Sequence, residues 1–299
     1  MEIRQLRYLL AIAEEANFTR AAEKVFVSQS ALSQQIQVLE GEVGAVLLER
    51  SKRGVRLTPA GEALCHHARR IMLEVEQAGI ALKELEGLGR GDLRVGVVQT
   101  VNDYLIPALV SAFAHDYPHI RLMIEELSSD DIEDRLISGD LQLGLSFIPA
   151  ASPAIDAEPL FEEELVLIIR RDHPFAGRDS VAVADLHGMP MVQLARTFCT
   201  RRLWEEKARL AGAIPHIMME MNTVSTILSI VEKTGLASVL PRHTLRELRS
   251  DALTSLTLHS PSPSRTVGVL WARDGYVCAA SRAFISAAHG ASVALAQPS

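Results

Sequence analysis

The stretch that decides the fold of the amino-terminal region is VFVSQSALSQQIQVLE, residues 25–40. Ser28 is a favourable N-cap for a helix. Leu32, Ile36 and Leu39 then recur every three or four positions, which predicts an amphipathic helix with one apolar face. The other face carries neutral amides and hydroxyls, which both donate and accept hydrogen bonds and therefore suit the recognition of base edges in DNA. The residues of this polar face are Ser28, Gln29, Ser30, Ser33, Gln34 and Gln37.

Two helices are predicted upstream of this stretch. Apolar residues at helical spacing over residues 3–13 indicate the first. Thr19 is the expected N-cap of the second, and the small side chains of Ala21 and Ala22 leave room for another helix to cross closely. The three helices together have the pattern of a helix-turn-helix unit.

A short basic hairpin is predicted downstream. Residues 46–49 and 55–57 are expected to be extended, and the turn between them contains glycine, Lys52 and Arg53. This arrangement is typical of the wing of a winged helix-turn-helix, where cations contact phosphates or the minor groove. Solvated glutamines on an ordinary helix are the competing interpretation. The small-residue helix, the cap and the basic wing together favour DNA binding.

The run FTRAAEKVFVSQSALSQQIQVLEGEVGAVLLERSKRGVRLTPAG, residues 18–61, resembles the amino-terminal domain of the LysR-type transcriptional regulators. Ser30 departs from the family pattern, which has proline there, so the first helical turn is less preorganised. The resemblance implies that the start of the polar-faced helix lies in the major groove. It also implies that Thr19 and Arg53 contact the backbone or the minor groove. The predicted DNA-binding residues are Thr19, Arg20, Ser28, Gln29, Ser30, Ser33, Gln34, Gln37 and Arg53.

A long helix with a heptad pattern follows. Thr58 and Pro59 predict its N-cap and first turn. Apolar residues then recur at alternating steps of four and three, and this strict period predicts a coiled coil with a second copy of the chain. His66 and His67 do not indicate a metal site, because adjacent helical positions point in different directions. The predicted dimerisation residues are Leu64, Ala68, Ile71, Val75, Ala78, Leu82 and Leu85.

The bulk composition limits the class of protein. The 299 residues are 48% hydrophobic and 22% charged, which is typical of a globular protein with two or three compact units. No apolar run approaches about 18 residues and the start lacks the features of a signal peptide, so a cytoplasmic protein without membrane association is expected. Cys65, Cys199 and Cys278 are far apart, which indicates neither a disulfide framework nor a zinc site. We predict no metal and no cofactor.

The charge is unevenly distributed along the chain. The net charge is −7, but residues 1–91 contain 12 basic and 12 acidic residues, so the other 208 residues carry all of it. A neutral DNA-binding region makes few phosphate contacts and binds weakly by itself. Two linked copies raise the affinity by about 10²-fold or more. A homodimer or a homotetramer is therefore predicted.

Strand and helix patterns alternate after residue 92. DLRVGVV, IRLMIEEL and LQLGLSFI are apolar strand patterns separated by helical ones, which predicts a parallel sheet with helices on its faces. The landmarks LIPALVSAFAHDYPHIRL, LISGDLQLGLSF and TILSIVEKTGLASVLP resemble the effector domain of the same family, which has two lobes and looks like a periplasmic binding protein. The resemblance implies that the chain crosses between lobes near Glu162 and near Ser264.

The expected fold class is therefore α/β with an amino-terminal winged helix-turn-helix, a long dimerising linker helix and a two-lobed effector domain. The linker ends at GLGRGD, residues 87–92, which is not a dinucleotide fingerprint because no strand precedes it. The predicted boundaries are 1–57 for the DNA-binding domain, 58–91 for the linker helix and hinge, and 92–299 for the effector domain, with lobe one at 92–162 and 265–299 and lobe two at 163–264.

Ligands in such folds bind at the carboxyl ends of strands, where helix N-termini present free N–H groups. Hydroxyl and amide residues occupy most of these positions here. Helix capping explains each of them singly, but the convergence that the resemblance implies favours a site. Arg196 and Arg201 are the nearby cations, so a small anionic metabolite is the hypothesis. The predicted effector-binding residues are Gln99, Thr100, Ser128, Ser129, Phe147, Thr197, Phe198, Cys199, Thr200, Asn222 and Thr223.

Cys199 supplies an alternative. By resemblance, the peroxide-sensing members of the family have their reactive cysteine at this position, at a helix start where a thiolate is stabilised. Their resolving cysteine lies nine residues further on, and here that position is Ala208. A reversible internal disulfide with that geometry is therefore not expected, and redox sensing would use Cys199 alone.

The leading interpretation is a sequence-specific, DNA-binding transcriptional regulator whose activity responds to a small-molecule effector bound between two α/β lobes. Its expected partners are double-stranded DNA, the effector, further copies of the chain and RNA polymerase. A cytoplasmic solute-binding protein or an enzyme is the alternative from another class. The sequence contains no GxSxG, P-loop or HExxH motif and no paired catalytic cysteine and histidine, so no catalytic residue is predicted.

Overall fold

The structure is a computed structural model that describes residues 1–51, 54–85, 91–247 and 250–296. The chain forms two compact units. One comprises Met1–Leu88 with Arg135–Asp140, and the other comprises Gly89–Asp134 with Leu141–Ser299. The boundaries expected at residues 57, 91, 162 and 264 divide the chain more finely, and they stay predictions.

The first unit begins with three helices, α1 (Ile3–Glu15), α2 (Phe18–Lys24) and α3 (Gln29–Val43). The N-cap of α2 is Asn17, whose side chain accepts hydrogen bonds from the backbone N–H groups of Thr19 and Arg20. The prediction that Thr19 caps this helix is therefore wrong. Thr19 already lies in the first turn, and an N-cap carboxamide oxygen is placed to accept from N–H groups at this position.

The apolar face predicted for α3 is confirmed. Ser28 caps the helix, since its hydroxyl accepts a hydrogen bond from the backbone N–H of Ala31 at 3.2 Å. Leu32, Ile36 and Leu39 are completely buried in a cluster that also contains residues of α1 and α2. This cluster fixes α3 on the helices before it, so the opposite face of α3 is left to solvent.

A hairpin follows α3, with β1 (Leu48–Ser51) antiparallel to β2 (Gly54–Leu57). The first strand begins two residues later than predicted. The reason is the carboxylate of Glu40, which accepts hydrogen bonds from the backbone N–H groups of Leu47 and Leu48 and ties this segment to α3. Lys52 and Arg53 lie outside the described residues.

The long helix α4 spans Pro59–Leu85. Its predicted cap is confirmed, because Oγ1 of Thr58 accepts a hydrogen bond from the backbone N–H of Gly61 at 3.0 Å. The first turns of α4 pack against the helix-turn-helix core, where Leu64 lies at the edge of the apolar cluster and Cys65 within it.

Ten strands, seven α-helices and one 3₁₀-helix, Val183–Leu186, complete the described chain. The strands are β3 (Gly91–Val98), β4 (Ile120–Leu127), β5 (Leu143–Ile148), β6 (Ile155–Arg170), β7 (Ser180–Ala182), β8 (Pro190–Leu194), β9 (His216–Met221), β10 (Ser238–Pro241), β11 (Leu253–His259) and β12 (Ser264–Ala272). The helices are α5 (Gln99–Tyr104), α6 (Ile106–Asp116), α7 (Ser129–Ser138), α8 (Cys199–Leu210), α9 (Val224–Thr234), α10 (Thr244–Glu247) and α11 (Ala279–Ala296).

The sheet of the second unit is mixed, so the expectation of a parallel sheet is only partly correct. β3 is parallel to β4 and β5, while β8 is parallel to β9 in a separate two-stranded sheet. β6, however, is antiparallel to β12, β10 and β11. Residues 155–164 of β6 pair with β12, and residues 165–170 pair with β10 and β11. β6 thereby joins two halves of the sheet.

Ile36→Ala tests the inward face of α3. We expect it to lower the free energy of unfolding by about 2–5 kcal/mol, because a completely buried side chain leaves a cavity when truncated. Val38→Ala is the matched control on the same helix, where 43% of the side chain is exposed, and its effect should stay within about 0.5 kcal/mol. Urea unfolding followed by circular dichroism measures both, and equal effects would contradict the assigned face.

Candidate functional site

The residues predicted to read DNA share one surface of the first unit. The hydroxyl of Thr19 on α2 donates a hydrogen bond to Oε1 of Gln29 on α3 at 3.3 Å, so the starts of these two helices lie together. Arg20 is exposed and donates to the backbone carbonyl of Glu15 at 2.6 Å. Arg53 lies outside the described residues. The exposed members of the predicted set are Thr19, Arg20, Ser28, Gln29, Ser30, Gln34 and Gln37, while Ser33 is half-buried.

The residues of α4 that are predicted to form a dimerisation seam differ in their exposure in the single chain. Ala68 is completely buried within the single chain, so it cannot be covered further by a partner helix, and its assignment to the seam is wrong. Leu64 is half-buried against the core of its own unit. The side chain of Leu85 is not among those described. The exposed members of the set are Ile71, Val75, Ala78 and Leu82.

A cavity of about 300 Å³ lies at the carboxyl ends of β3 and β4, beside the starts of α5, α7 and α8. Strand ends and helix starts meet here because each helix follows its strand directly. The cavity brings together eight of the eleven predicted effector-binding residues: Gln99, Thr100, Ser128, Ser129, Thr197, Phe198, Cys199 and Thr200.

The other three predicted residues do not line this cavity. The backbone carbonyl of Asn222 accepts a hydrogen bond from the side-chain amide of Gln99, so Asn222 contacts a residue of the wall. Phe147 lies under the guanidinium of Arg265, with 3.4 Å between its ring centroid and Cζ. Thr223 donates to the hydroxyl of Thr226 at 2.7 Å and does not line this cavity, and its role in effector binding stays a prediction.

Arg265 on β12 is the central residue that the sequence prediction missed. Its Nη2 donates to Oγ1 of Thr100 at 3.1 Å, and its Nη1 lies 3.8 Å from the sulfur of Cys199. One guanidinium therefore contacts two residues of the cavity wall, one on α5 and one on α8. The signal in the sequence was its position directly after Ser264, where the chain was expected to cross between lobes.

A buried carboxylate balances this cation. Oε2 of Glu163 lies 2.5 Å from both Nε and Nη2 of Arg265, directly across the β6–β12 pair. Glu163 is completely buried, and its other oxygen accepts a hydrogen bond from the hydroxyl of Tyr104. Burial, followed by the charge and hydrogen bonding of Glu163, raises the pKa of Tyr104 well above its usual range, although Arg265 opposes the shift. Tyr104 therefore stays a neutral donor.

The charges at the cavity differ from those expected. Arg201 is buried and donates to the backbone carbonyl of Leu194 at 2.7 Å, while Arg196 pairs with Glu205 at 3.2 Å, and neither lines this cavity. Arg202, Glu126 and Asp131 do line it. Two carboxylates on the wall disfavour a ligand that is purely anionic.

A further carboxyl lies close to this acidic wall. Desolvation, and then the neighbouring charge of Glu126, raises the pKa of Asp103 to about 6. The amide of Asn102 donates to Oε2 of Glu126 at 3.1 Å. The electrostatic character of this edge of the cavity therefore changes between pH 5 and pH 7.

The three cysteines are free in the structure, and Cys65 and Cys278 are buried while Cys199 is half-exposed. Ala208 is buried in the core around Trp204. Across residues 1–51, 54–85, 91–247 and 250–296, no cluster of histidine, cysteine, aspartate and glutamate side chains is arranged to hold a metal ion. In the same residues, no helix combines the length and the apolar character that crossing a bilayer requires.

Glu163→Gln tests the buried ion pair. We expect the free energy of unfolding to fall by about 3–5 kcal/mol, because Arg265 would remain as an uncompensated buried charge. Glu164→Gln is the matched control at the next position, where an exposed carboxylate pairs with Arg242 at 2.9 Å, and its effect should stay below about 1 kcal/mol. Urea unfolding of the full chain at pH 7 compares them, and a Glu163→Gln loss no larger than that of the control would contradict this assignment.

Comparison with known proteins matches two regions of the chain to family models. Residues 3–62 match the model of the bacterial regulatory helix-turn-helix protein, lysR family, and residues 86–292 match the LysR substrate binding domain. The second match alone covers more than half of the chain. The two elements described above, the polar-faced α3 and the cavity at the strand ends, each lie within one of these regions.

Relatives match over nearly the full length. The hydrogen peroxide-inducible genes activator of Pectobacterium carotovorum subsp. carotovorum is 32% identical over 272 residues, which is 91% of this chain and 90% of that protein. The DNA-binding transcriptional dual regulator OxyR of Escherichia coli K12 is also 32% identical, over 91% of this chain and 89% of its own length.

A solved structure supports the same assignment. Full-length OxyR of Pseudomonas aeruginosa, with one cysteine replaced by aspartate, superposes with a TM-score of 0.77 at 28% identity, covering 98% of this chain and 94% of that one. Both regions match family models and the relatives are similar over almost the whole length, so this chain belongs to the LysR family of DNA-binding transcriptional regulators.

Proposed function

We propose that this regulator reads its operator with the polar start of α3 placed in the major groove. The observation that carries the proposal is the hydrogen bond between Thr19 and Gln29, which aligns the starts of α2 and α3 on one exposed polar surface. Neutral amides and hydroxyls read base edges, whereas phosphate contacts fix the position of the protein. Arg53 in the wing is proposed to supply such a phosphate contact.

We propose that two copies pair through α4. Ile71, Val75 and Leu82 are 36%, 41% and 66% exposed in the single chain, although all three are aliphatic and follow the heptad period. Exposed aliphatic side chains in this pattern are covered when a second helix packs along them. The pairing places two DNA-binding units on one duplex, which offsets the neutral charge of each.

We propose that the cavity beside α5, α7 and α8 is the effector site and that its ligand is small and polar. Support comes from its size, from hydroxyl groups on its wall and from the presence of both acidic and basic residues there. Binding would alter the contacts of Arg265 with Thr100 and Cys199. Because Arg265 lies on β12, which pairs with the strand β6 that joins the two halves of the sheet, such a change reaches the rest of the unit.

A second candidate is thiol chemistry at Cys199, favoured by the 3.8 Å approach of Arg265 to its sulfur. The nucleophile that attacks a peroxide is a cysteine sulfur, and this sulfur is accessible and in contact with the guanidinium. The sulfur would bond to one peroxide oxygen, the O–O bond would break, hydroxide would leave, and a sulfenic acid would form. One relative described above is named a hydrogen peroxide-inducible genes activator.

We further propose that the protein acts in the cytoplasm, contacts RNA polymerase on the DNA and has no enzymatic activity of its own. The support is its membership of a family of transcription regulators. A solute-binding protein would not need the helix-turn-helix unit and its heptad helix.

Gln29→Ala and Arg53→Ala separate base reading from phosphate binding. Gln29→Ala should relax the preferred sequence at one position, at a cost of about 1–3 kcal/mol for the preferred base, while Arg53→Ala should weaken binding to all sequences and reduce the salt slope by about 1. Selection from a random duplex pool, followed by anisotropy titrations at several salt concentrations, measures both. Gln35→Ala, another amide of α3 outside the predicted set, is the control. A relaxed preference in that control and none in Gln29→Ala would contradict the groove placement.

Peroxide treatment tests the second candidate. One oxygen should be added to Cys199 at a near-stoichiometric dose, with no internal disulfide, as measured by mass spectrometry of the full chain. Arg265→Met should slow this reaction by about tenfold or more, because the neighbouring cation is lost. Arg273→Met, at an exposed arginine that pairs with Asp156, is the control and should react as the unmodified protein does. An unmodified Cys199 would end this candidate.

A further inference from the structure

The turn between α2 and α3 contains an unfavourable backbone conformation. Phe26 has a φ of +57°, in the left-handed region, where the Cβ of an L-residue crowds the following carbonyl. The N–H of Val27 donates to the carbonyl of Ala22 at 3.0 Å, and the N–H of Phe26 donates to the carbonyl of Glu23 at 3.2 Å. This is the pattern that ends helices when glycine occupies the left-handed position. In this protein the left-handed position after the helix is occupied by phenylalanine, although glycine is the residue that adopts this conformation without strain.

The side chain of Phe26 gains nothing from the fold that would offset this strain. It is 93% exposed, the largest exposed fraction of any large apolar side chain in the described part of the chain. An exposed aromatic ring contributes no burial to folding. Strained residues that the free protein does not need are found at functional sites, so the ring is expected to act in a complex.

The position of Phe26 indicates which complex. It precedes the N-cap Ser28 by two residues and Gln29 by three, and three residues span at most about 10 Å. The ring therefore borders the polar surface formed by Thr19 and the start of α3. It lies before the first helical residue and outside the part of α3 that is proposed to face the bases, which places it beside the edge of the groove.

We propose that Phe26 packs its ring against the deoxyribose edge of the DNA backbone when α3 occupies the major groove. This inference rests on the proposed placement of α3. Sugar edges are the apolar component of the backbone, and a large share of protein contacts to DNA are made to sugar and phosphate. The contact is uncharged and independent of sequence. This contact would remove the ring of Phe26 from water only in the complex with DNA. The ring is therefore exposed in the free protein.

Phe26→Gly separates this role from a structural one. Glycine relieves the left-handed strain, so the temperature of thermal unfolding should rise, while affinity for DNA should fall about tenfold because the ring contact is lost. The loss should be equal for the operator and for a random duplex. The slope of log Kd against log salt concentration should stay unchanged, because no charge is removed.

Ala16→Gly is the matched control. Ala16 lies at the end of α1 in the same unit, also exposed and also left-handed, with a φ of +48°. It should raise the unfolding temperature as Phe26→Gly does and leave DNA affinity unchanged. Phe26→Tyr, which retains the ring, should keep the affinity within about twofold of the original.

Several outcomes would overturn the proposal. Unchanged affinity of Phe26→Gly would do so, and if Gln29→Ala still relaxes sequence preference, the groove placement of α3 survives while the role of the ring does not. A loss confined to the operator would place the ring on a base. Dissociation of Phe26→Gly into monomers by light scattering, with full affinity per bound unit, would assign the ring to a second copy of the chain.

Discussion

The second unit depends on one ion pair, that between Glu163 and Arg265, which stand opposite each other on β6 and β12. A carboxylate with no exposed surface is tolerated only with partners for both oxygens, and Arg265 and Tyr104 provide them. Glu163 needs Arg265 as a partner, and Arg265 in turn needs Glu163. Because Glu163 holds the guanidinium in place through Nε and Nη2, Nη2 also reaches Thr100 and Nη1 approaches Cys199. The shape of this part of the cavity wall therefore depends on the ion pair.

The amino-terminal unit was predictable from its sequence because its rules are local. The spacing of Leu32, Ile36 and Leu39, the cap at Ser28 and the Thr58–Pro59 start of α4 each depend on neighbours along the chain, and each is confirmed. The cap of α2 was missed because Asn17 and Thr19 are both good capping residues, and only tertiary packing decides which one begins the helix.

The cavity was predictable in outline but not in its charges. Strand ends and helix starts follow from sequence patterns, so eight residues of the site could be named. Arg265 and Glu163 are distant in sequence and meet only through the antiparallel pairing of two long strands. No local sequence pattern predicts the register in which β6 pairs with β12. The same limit explains why the sheet was expected to be parallel, and why Ala68 was assigned to a dimer seam although its own unit covers it.

The length of β6 has a mechanical consequence. Its 16 residues continue through both halves of the sheet and have hydrogen-bonded neighbours at each end. A loop in the same place would let the two halves rotate freely. A rearrangement around the cavity must therefore twist β6 together with its hydrogen-bonded neighbours. The resistance of these strands to twisting increases with the angle. We therefore expect β6 to return to its original twist when a bound ligand leaves the cavity. We also expect β6 to transmit small displacements to distant parts of the unit.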